Sequence, residues 1–321
     1  MKLKSLGLLV ALGMVAFSAG AVEKMRLGHG LPEDHAVHKA VVRFADLVKE
    51  RTNGEIVISV FANGVLGNER EMLEQVQNGV LEITKASASP LETFSPDYKV
   101  FNLPFVFRDR EHFFNVLTSP VGESILASSK KRGFIGLAYY DSGARSFYAK
   151  KAINTPDDLK GMKIRVQQSP TTIKMIQALG ATPTPMAWGE VYSALQTGVV
   201  DGAENNVTAL TNGRHGEVCK FYSETEHQIV PDVLVMSAAR WDSLKKPLQD
   251  IIKKAAVDSY EYQKSLWGAF EKVEREKSLA LGVKFNTPNK QAFVAKVKPM
   301  MDEERKNGAI AKLLNDIAAV K

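Results

Sequence analysis

Gly161-Met-Lys-Ile-Arg-Val-Gln-Gln-Ser-Pro170 is the stretch on which the reading of this chain turns. Met162, Ile164 and Val166 alternate with Lys163, Arg165 and Gln167, which is the period of a strand. Ser169-Pro170 then suits an N-cap followed by a first helical position, opening a helix over Thr171–Leu179 that Gly180 stops. A guanidinium on a strand that feeds a helix N-terminus suits a carboxylate. Its fork offers paired donors, and the helix end adds orphan N–H groups. The same residues also suit a surface arginine on an edge strand.

Around this stretch the pattern repeats. Thr155-Pro-Asp-Asp158 begins a one-turn helix before it, with a threonine N-cap and an early proline. After it come a strand over Ala181–Met186, a short helix over Trp188–Gln196 and a brief strand, Val199-Val200-Asp201. That strand runs into Gly-Ala-Glu-Asn-Asn206, so the region reads as βαβαβ, with Arg165, Gln167, Asn205 and Asn206 at its strand ends.

The first part of the chain has the same logic. Strands at Lys24–Gly28, Glu55–Phe61 and Leu81–Ala86 alternate with a helix starting at Pro32-Glu-Asp34 and another over Glu69–Gln77. Ligands in such parallel sheets sit outside the carboxyl ends of strands, so Gly28–His35, Asn63–Asn68 and Ser87–Pro90 should rim one crevice. Helices over Arg110–Leu117 and Val121–Lys131 and a strand over Phe134–Tyr140 lead to the turn Asp141-Ser-Gly-Ala-Arg145, where the chain enters a second domain. Phe101–Phe107, with Pro104 inside, reads as a loop-to-strand transition, and His227–Met236 returns the chain. Pro247–Leu281 is one helical pattern, about 50 Å long at ~1.5 Å per residue, and is expected to be a strut across both domains rather than two helices broken near Gly268. A strand at Val283–Phe285 and two helices close the chain. The expected division is residues 22–142 plus 231–268 against 143–230 plus 269–321.

The chain has 321 residues, and Met1–Ala21 reads as a signal peptide: Lys2 and Lys4, an apolar run from Leu6 to Phe17, and a small-residue end. That run is shorter than the ~20 residues a membrane span takes. No further run of that length follows, so export of a soluble protein is expected. There are 42 Lys+Arg against 36 Asp+Glu; the signal carries two of the lysines, leaving 40 against 36. The basic residues are interspersed with acidic ones, which argues against a nucleic-acid partner. The lone Cys219 excludes an intrachain disulfide framework and a multi-cysteine metal site, and suits a small core side chain.

No His-Glu-x-x-His, Walker loop or Gly-x-Ser-x-Gly occurs. Gly28-His-Gly30 starts like a dinucleotide fingerprint, but Glu33 stands where its third glycine belongs. His29, His35 and His38 lack the partners a metal site needs; His35 suits a neutral hydrogen-bonding role or a helix cap. No metal or other cofactor is expected. Arg145, Arg165, the amides of Asn205 and Asn206 and the flat Trp188 instead suit a small oxyanion carrying hydroxyls, with no nucleophile beside it.

Leu66-Gly67, Pro104-Phe105, Gly161-Met-Lys-Ile-Arg165, Pro183-Thr-Pro-Met186 with Glu190-Val-Tyr192, and Val200-Asp-Gly202 with Glu204-Asn205 occur in this order. In these motifs, over essentially the whole mature chain, the sequence resembles the substrate-binding subunits of TRAP transporters, the DctP-type periplasmic receptors for organic acids. The resemblance implies an α/β, two-domain periplasmic binding protein fold with a ligand cleft between the domains and a long connecting helix. It also implies a soluble monomer in the periplasm whose partners are a small organic acid and the TRAP membrane subunits. Arg165 would bind the ligand carboxylate, with Arg145 assisting, Asn205 hydrogen-bonding and Trp188 supplying an aromatic surface. Ser87 stands where sialic-acid receptors have Glu, and Asn205-Asn206 replaces their Asn-Pro. Ser169-Pro170, the run to Asn206 and Thr225-Glu-His227 look more like receptors for hexuronates such as glucuronate or galacturonate.

On this reading His35, Ser87, Ser89 and Glu71 of the first domain would read the ligand's hydroxyls. The rivals are a receptor for a C4-dicarboxylate, keto or aromatic acid, a receptor feeding a sensor kinase, and a secreted sugar-acid hydrolase or lyase using His35 and Glu71 as acid and base.

Overall fold

The structure, a computed structural model, describes residues 22–321; the signal-peptide reading of Met1–Ala21 lies outside the described residues. Strands β1 (Glu23–Gly28), β2 (Ile56–Phe61), β3 (Ile83–Ser87), β4 (Phe134–Tyr140) and β10 (Asp232–Ser237) make one sheet in the order β2-β1-β3-β10-β4. The β1–β2 and β1–β3 pairs are parallel, and β10 runs antiparallel to both its neighbours. The second sheet holds β5 (Ala144–Ala149), β6 (Lys163–Val166), β7 (Thr182–Pro185), β8 (Gly202–Asn205), β9 (Phe221–Ile229) and β11 (Lys284–Asn286), ordered β11-β9-β5-β8-β6-β7. Its β8-β6-β7 part is parallel and repeats the β2-β1-β3 arrangement. In both lobes the strand carboxyl ends therefore present loops to the space between them.

Helix α1 (Ala36–Arg51) buries Val37, Val41, Phe44 and Val48 against the first sheet and the long helix. Full burial of such side chains stabilises by roughly 1.5–3 kcal/mol each. Helix α2 (Glu69–Gln77) runs between β2 and β3, and α3 (Arg110–Leu117) and α4 (Pro120–Ser128) precede β4. In the second lobe α5 (Pro170–Ala178) and α6 (Val191–Thr197) make the crossovers.

The strut is one helix, α7 (Lys246–Ala280), with no break at Gly268. Leu248, Ile252, Ala255, Tyr260 and Trp267 pack into the first lobe's core. Further along, its Glu274 accepts a hydrogen bond from Thr211 Oγ1 of the second lobe. Helix α8 (Lys290–Glu304) buries Phe293 and Val297 in the second lobe's core. Helix α9 (Gly308–Ala319) places Ile310, Leu314 and Ile317 in a first-lobe cluster, so the terminal part of 269–321 packs on the first sheet and not on the second. No helix among the described residues is long and apolar enough to cross a membrane.

Two short segments cross between the sheets, Asp141–Gly143 and Val230–Pro231. The first is clamped by α7: Asp141 N–H donates to Gln263 Oε1 at 2.9 Å and Gln263 Nε2 donates to Asp141 O at 2.8 Å. Gly143 has φ 65°, and a Cβ there would stand 2.8 Å from Glu271 Oε1 and 3.2 Å from the Trp267 ring. Only glycine fits both demands.

Three local expectations change. Helix α1 starts at Ala36 and not at Pro32, because His35 N–H turns back to Pro32 O (3.2 Å) and the His35 Nδ1 takes the Val37 N–H as cap (3.1 Å). The strand expected at Val199–Asp201 lies at Gly202–Asn205: the Asp201 carboxylate accepts the Lys163 N–H at 2.7 Å, and pairing with β6 starts at Gly202. Phe101–Phe107 is no strand; Lys99–Asn102 is a helical turn and Phe105, at φ 54°, donates its N–H to His227 O across the lobes. The segment His227–Met236, expected to return the chain, does so as the end of β9 and the start of β10, divided at Val230–Pro231. Cys219 is a buried core residue whose thiol pKa burial pushes up to about 12.

Candidate functional site

Between the two sheets lies a cavity of about 520 Å³. Gly30, Leu31 and His35, then Asn63, Gly64, Gly67 and Asn68, then Ser87 and Pro90 reach it from the first lobe, so the three strand-end loops converge as their positions implied. Arg145, Arg165, Gln167, Trp188, Asn205 and Asn206 reach it from the second. A further hollow of about 560 Å³ lies beside α7 and β9. Its Arg110, Arg275 and Lys290 are paired with acids and its Arg108 and Lys272 are exposed to solvent, whereas the inter-lobe cavity holds a buried cation with no ion pair among the described residues.

That cation is Arg165. It sits on β6 between β7 and β8, 2% exposed. Nε and Nη2 both donate to Met186 O, at 3.2 and 2.9 Å, which fixes the plane of the guanidinium. Nη1 is buried without a partner, and Arg165 makes no ion pair among the described residues. Burial pulls its pKa below the ordinary arginine value. A buried cation without a counter-charge is costly and calls for an anion. Near it the Tyr148 hydroxyl and His215 Nδ1 share a 2.8 Å hydrogen bond, and burial together with Arg165 lowers His215 to about 3. The Trp188 ring lies 4.9 Å from that imidazole and walls the cavity.

Arg145 is different. Its Nε and Nη2 grip the Glu204 carboxylate at 2.6 and 2.8 Å, and Nη2 also donates to Glu204 O. Nη1 donates to Asn205 Oδ1 at 2.8 Å. Burial alone would raise Glu204, but Arg145 and His227 overrule it and hold the pKa at about 2. The charge of Arg145 is thus already balanced. It orients Asn205, whose oxygen also takes the Asn206 N–H at 2.8 Å, and the Asn205 amide nitrogen has no acceptor among the described residues. Asn206 lines the cavity with its own amide spent: Nδ2 donates to Ser142 O at 2.7 Å, and Oδ1 accepts from Thr208 N–H and Oγ1.

The first-lobe wall contains a trio absent from the sequence reading. Lys85, 2% exposed on β3, donates to Glu69 Oε1 at 3.1 Å and lies 3.2 Å from Asp232 Oδ2. Burial would depress the ammonium, but Asp232 and Glu69 hold its pKa above the ordinary lysine value. Burial raises Asp232 against the pull of Lys85. A lysine on the alternating face that carries Leu81 and Ile83 was the available signal. Glu69 read as an ordinary acidic first-turn residue, and Asp232 was masked by the surrounding β-formers. The wall continues with His35, whose Nδ1 accepts the Val37 N–H, so the proton rests on Nε2. Burial and Lys85 hold its pKa well below the ordinary value, leaving a neutral donor. Ser87 Oγ donates to Gln167 Oε1 at 3.3 Å, linking the lobes across the cavity.

Two expected hydroxyl readers are elsewhere. Glu71 is exposed and closes the capping box of α2, accepting the Asn68 N–H at 2.9 Å while Asn68 accepts its own. Ser89 is buried behind the wall, donating to Asn102 Oδ1 at 2.6 Å. Neither lines the cavity. The N-terminus of α5 is also occupied from within the protein: Glu92 of the first lobe accepts from Ser169 Oγ and from the Thr171 N–H, each at 2.9 Å.

The chain matches the family described as bacterial extracellular solute-binding protein, family 7 (DctP), over residues 27–307. It is 43% identical to a TRAP periplasmic solute-binding protein of Bradyrhizobium solved in complex with D-galacturonate, with a TM-score of 0.90 over 92% of this chain and 99% of that one. It is 36% identical to the Pseudomonas putida counterpart solved with bound D-glucuronate, again at a TM-score of 0.90, over 93% and 97% of the chains. It is also 34% identical over 271 residues to the 2,3-diketo-L-gulonate-binding periplasmic protein YiaO of Escherichia coli, 83% of this chain and 82% of that protein.

Proposed function

This chain belongs to the DctP family of bacterial extracellular solute-binding proteins, and from that membership we propose that its ligand is a hexuronate, D-glucuronate or D-galacturonate. The family makes it a receptor for an organic acid and not an enzyme, working with TRAP membrane subunits. The observation that carries the ligand reading is the unpartnered guanidinium nitrogen of Arg165, in a residue lining a cavity whose first-lobe wall carries hydroxyl-bonding groups.

In this reading the carboxylate lies on Arg165, with the Asn205 amide nitrogen beside it and Arg145 acting through Asn205. The sugar ring lies along Trp188, and its hydroxyls donate to Glu69 and Asp232 while Lys85 and His35 donate to its oxygens. The lobes close by rotating about Asp141–Gly143 and Val230–Pro231, with α7 spanning the joint. Closure excludes water, which strengthens each charge-assisted bond as the local dielectric falls. A micromolar complex needs about −8 kcal/mol. Spread over the roughly 13 heavy atoms of a hexuronate, this is about −0.6 kcal/mol per atom, inside the range for small ligands. The receptor works as a monomer in the periplasm once Met1–Ala21 is removed.

A thermal-shift screen followed by calorimetry tests the reading. The compounds are D-glucuronate, D-galacturonate, 2,3-diketo-L-gulonate and succinate. Binding to the native state alone stabilises by RT ln(1 + [L]/Kd), so a micromolar uronate at millimolar concentration gives about 4 kcal/mol. A shift with succinate or diketogulonate and none with either uronate overturns it.

A further inference from the structure

We infer that the cavity selects by charge at its far end: it accepts a monocarboxylate whose other end carries hydroxyls, and Glu69 and Asp232 reject the same molecule carrying a second carboxylate there. This rests on the hexuronate reading and adds to it the rejection of the matching aldaric acid.

Two cations other than Arg165 reach the cavity from well-buried positions, and both are already matched. Arg145 is held by Glu204 through Nε and Nη2. Lys85 Nζ lies at 3.1 Å from Glu69 and 3.2 Å from Asp232. One cation between two carboxylates has no remaining charge to compensate a second ligand anion; with Asp232 protonated, Glu69 alone still balances Lys85. Arg165 is therefore the one buried positive charge in this cavity without a counter-charge among the described residues. A carboxylate brought to the Lys85 end would give up its water and face two acids across a short distance, which a low-dielectric cleft penalises heavily. A hydroxyl there meets the reverse situation. Glu69 Oε2 and Asp232 Oδ1 accept no hydrogen bond among the described residues, whereas Oε1 of Glu69 is taken by Lys85 and the Ser87 N–H. An O–H donates to such oxygens, and a site built to pair hydroxyls discriminates strongly against a group that cannot donate.

The test is calorimetry on the purified chain with D-glucuronate against D-glucarate and D-galacturonate against galactarate. Each pair differs by oxidation of the far end from aldehyde level to carboxylate, which also opens the sugar ring, so the charge effect is read from the change of the ratio between the parent and the variants below. The aldarates are expected to bind at least 100-fold more weakly. In Glu69→Gln and Asp232→Asn that ratio should shrink by tenfold or more, because an amide still accepts but no longer repels; circular dichroism confirms that each variant is folded. The ratio is read within one variant, so a general loss of affinity does not disturb it. An aldarate bound within tenfold of its uronate, or a ratio unchanged in both folded variants, overturns the inference. If neither uronate binds, the hexuronate reading has failed. The charge rule is then decided by gluconate against glucarate on the same three proteins, with the same two criteria.

Discussion

Arg165 donates twice to Met186 O, through Nε at 3.2 Å and Nη2 at 2.9 Å, which fixes the plane of a guanidinium whose Nη1 has no partner among the described residues and which lines the cavity. A carbonyl can hold a guanidinium in place without neutralising it, which a carboxylate partner could not do. The arrangement sacrifices stability for binding, since a buried charge without a counter-charge is unfavourable in the protein alone. Arg165→Ala should weaken uronate binding by about 3–5 kcal/mol, and Arg165→Lys should weaken it too, because an ammonium cannot reproduce the fork. Arg165→Met makes the sharper test. It should leave the melting temperature without ligand equal to or above that of the parent while abolishing the uronate-induced shift. A fall in that temperature would mean that the arginine serves the fold.

Arg145 predicts the opposite behaviour. Its ion pair with Glu204 is buried on both sides, at 5% and 0% side-chain exposure. Removing one partner strands the other, so Glu204→Gln should destabilise by about 3–5 kcal/mol at neutral pH. The pair also fixes a pH dependence. Glu204 is held at about 2 in the folded chain against an ordinary value of 4.5, so its contribution is complete above pH 4.5 and disappears as the pH falls through about 2. Across that window the loss is on the order of 3 kcal/mol for this group. Urea midpoints measured from pH 7 down to pH 2 should fall more steeply for the parent than for Glu204→Gln in the acid limb. Parallel profiles would remove Glu204 from the account.

Much of this was legible in the sequence because it depends on period and punctuation. The two βαβαβ halves, the uninterrupted α7 and the strand carrying Arg165 follow from alternation, caps and apolar spacing. What the sequence hides is pairing across distance. Arg145 and Arg165 look alike along the chain, yet one meets Glu204 across the β5–β8 pair and the other meets only a carbonyl. Glu69 and Glu71 stand two residues apart on one helix. The capping box takes the second and turns the first toward Lys85, a choice that local rules permit either way. Asp232 joins that group only because β10 returns antiparallel to β3 and sets it opposite Ser87.

Gly143→Ala probes the crossover. At φ 65° an alanine is strained, and its methyl would stand 3.2 Å from the Trp267 ring, a buried group with little room to move. The substitution should cost about 1–3 kcal/mol in stability. It should also lower uronate affinity, because Asn206 is anchored to Ser142 O one residue earlier. Thermal melting with and without ligand reads both effects. An unchanged melting temperature would show that this segment bends freely.

Glu92→Ala tests why the helix N-terminus after Arg165 does not hold the ligand. The Glu92 carboxylate accepts from Ser169 Oγ, the Thr171 N–H and Asn102 Nδ2, all at 2.9 Å, and it comes from the opposite lobe. It therefore fills the anion site that a helix start offers and joins the lobes behind the cavity. Burial raises its pKa against the pull of the Thr171, Ser169 and Asn102 hydrogen bonds. Deleting the side chain leaves buried donors on α5 unpaired, at about 1–3 kcal/mol. Stability should fall by that amount, while uronate affinity falls by no more than about tenfold, since Glu92 does not line the cavity. Glu92→Gln should keep part of the stability, because its amide oxygen still accepts from Ser169 and Thr171. Loss of binding in a folded Glu92→Ala protein would show that this contact between the lobes, and not the cavity lining alone, sets the ligand geometry.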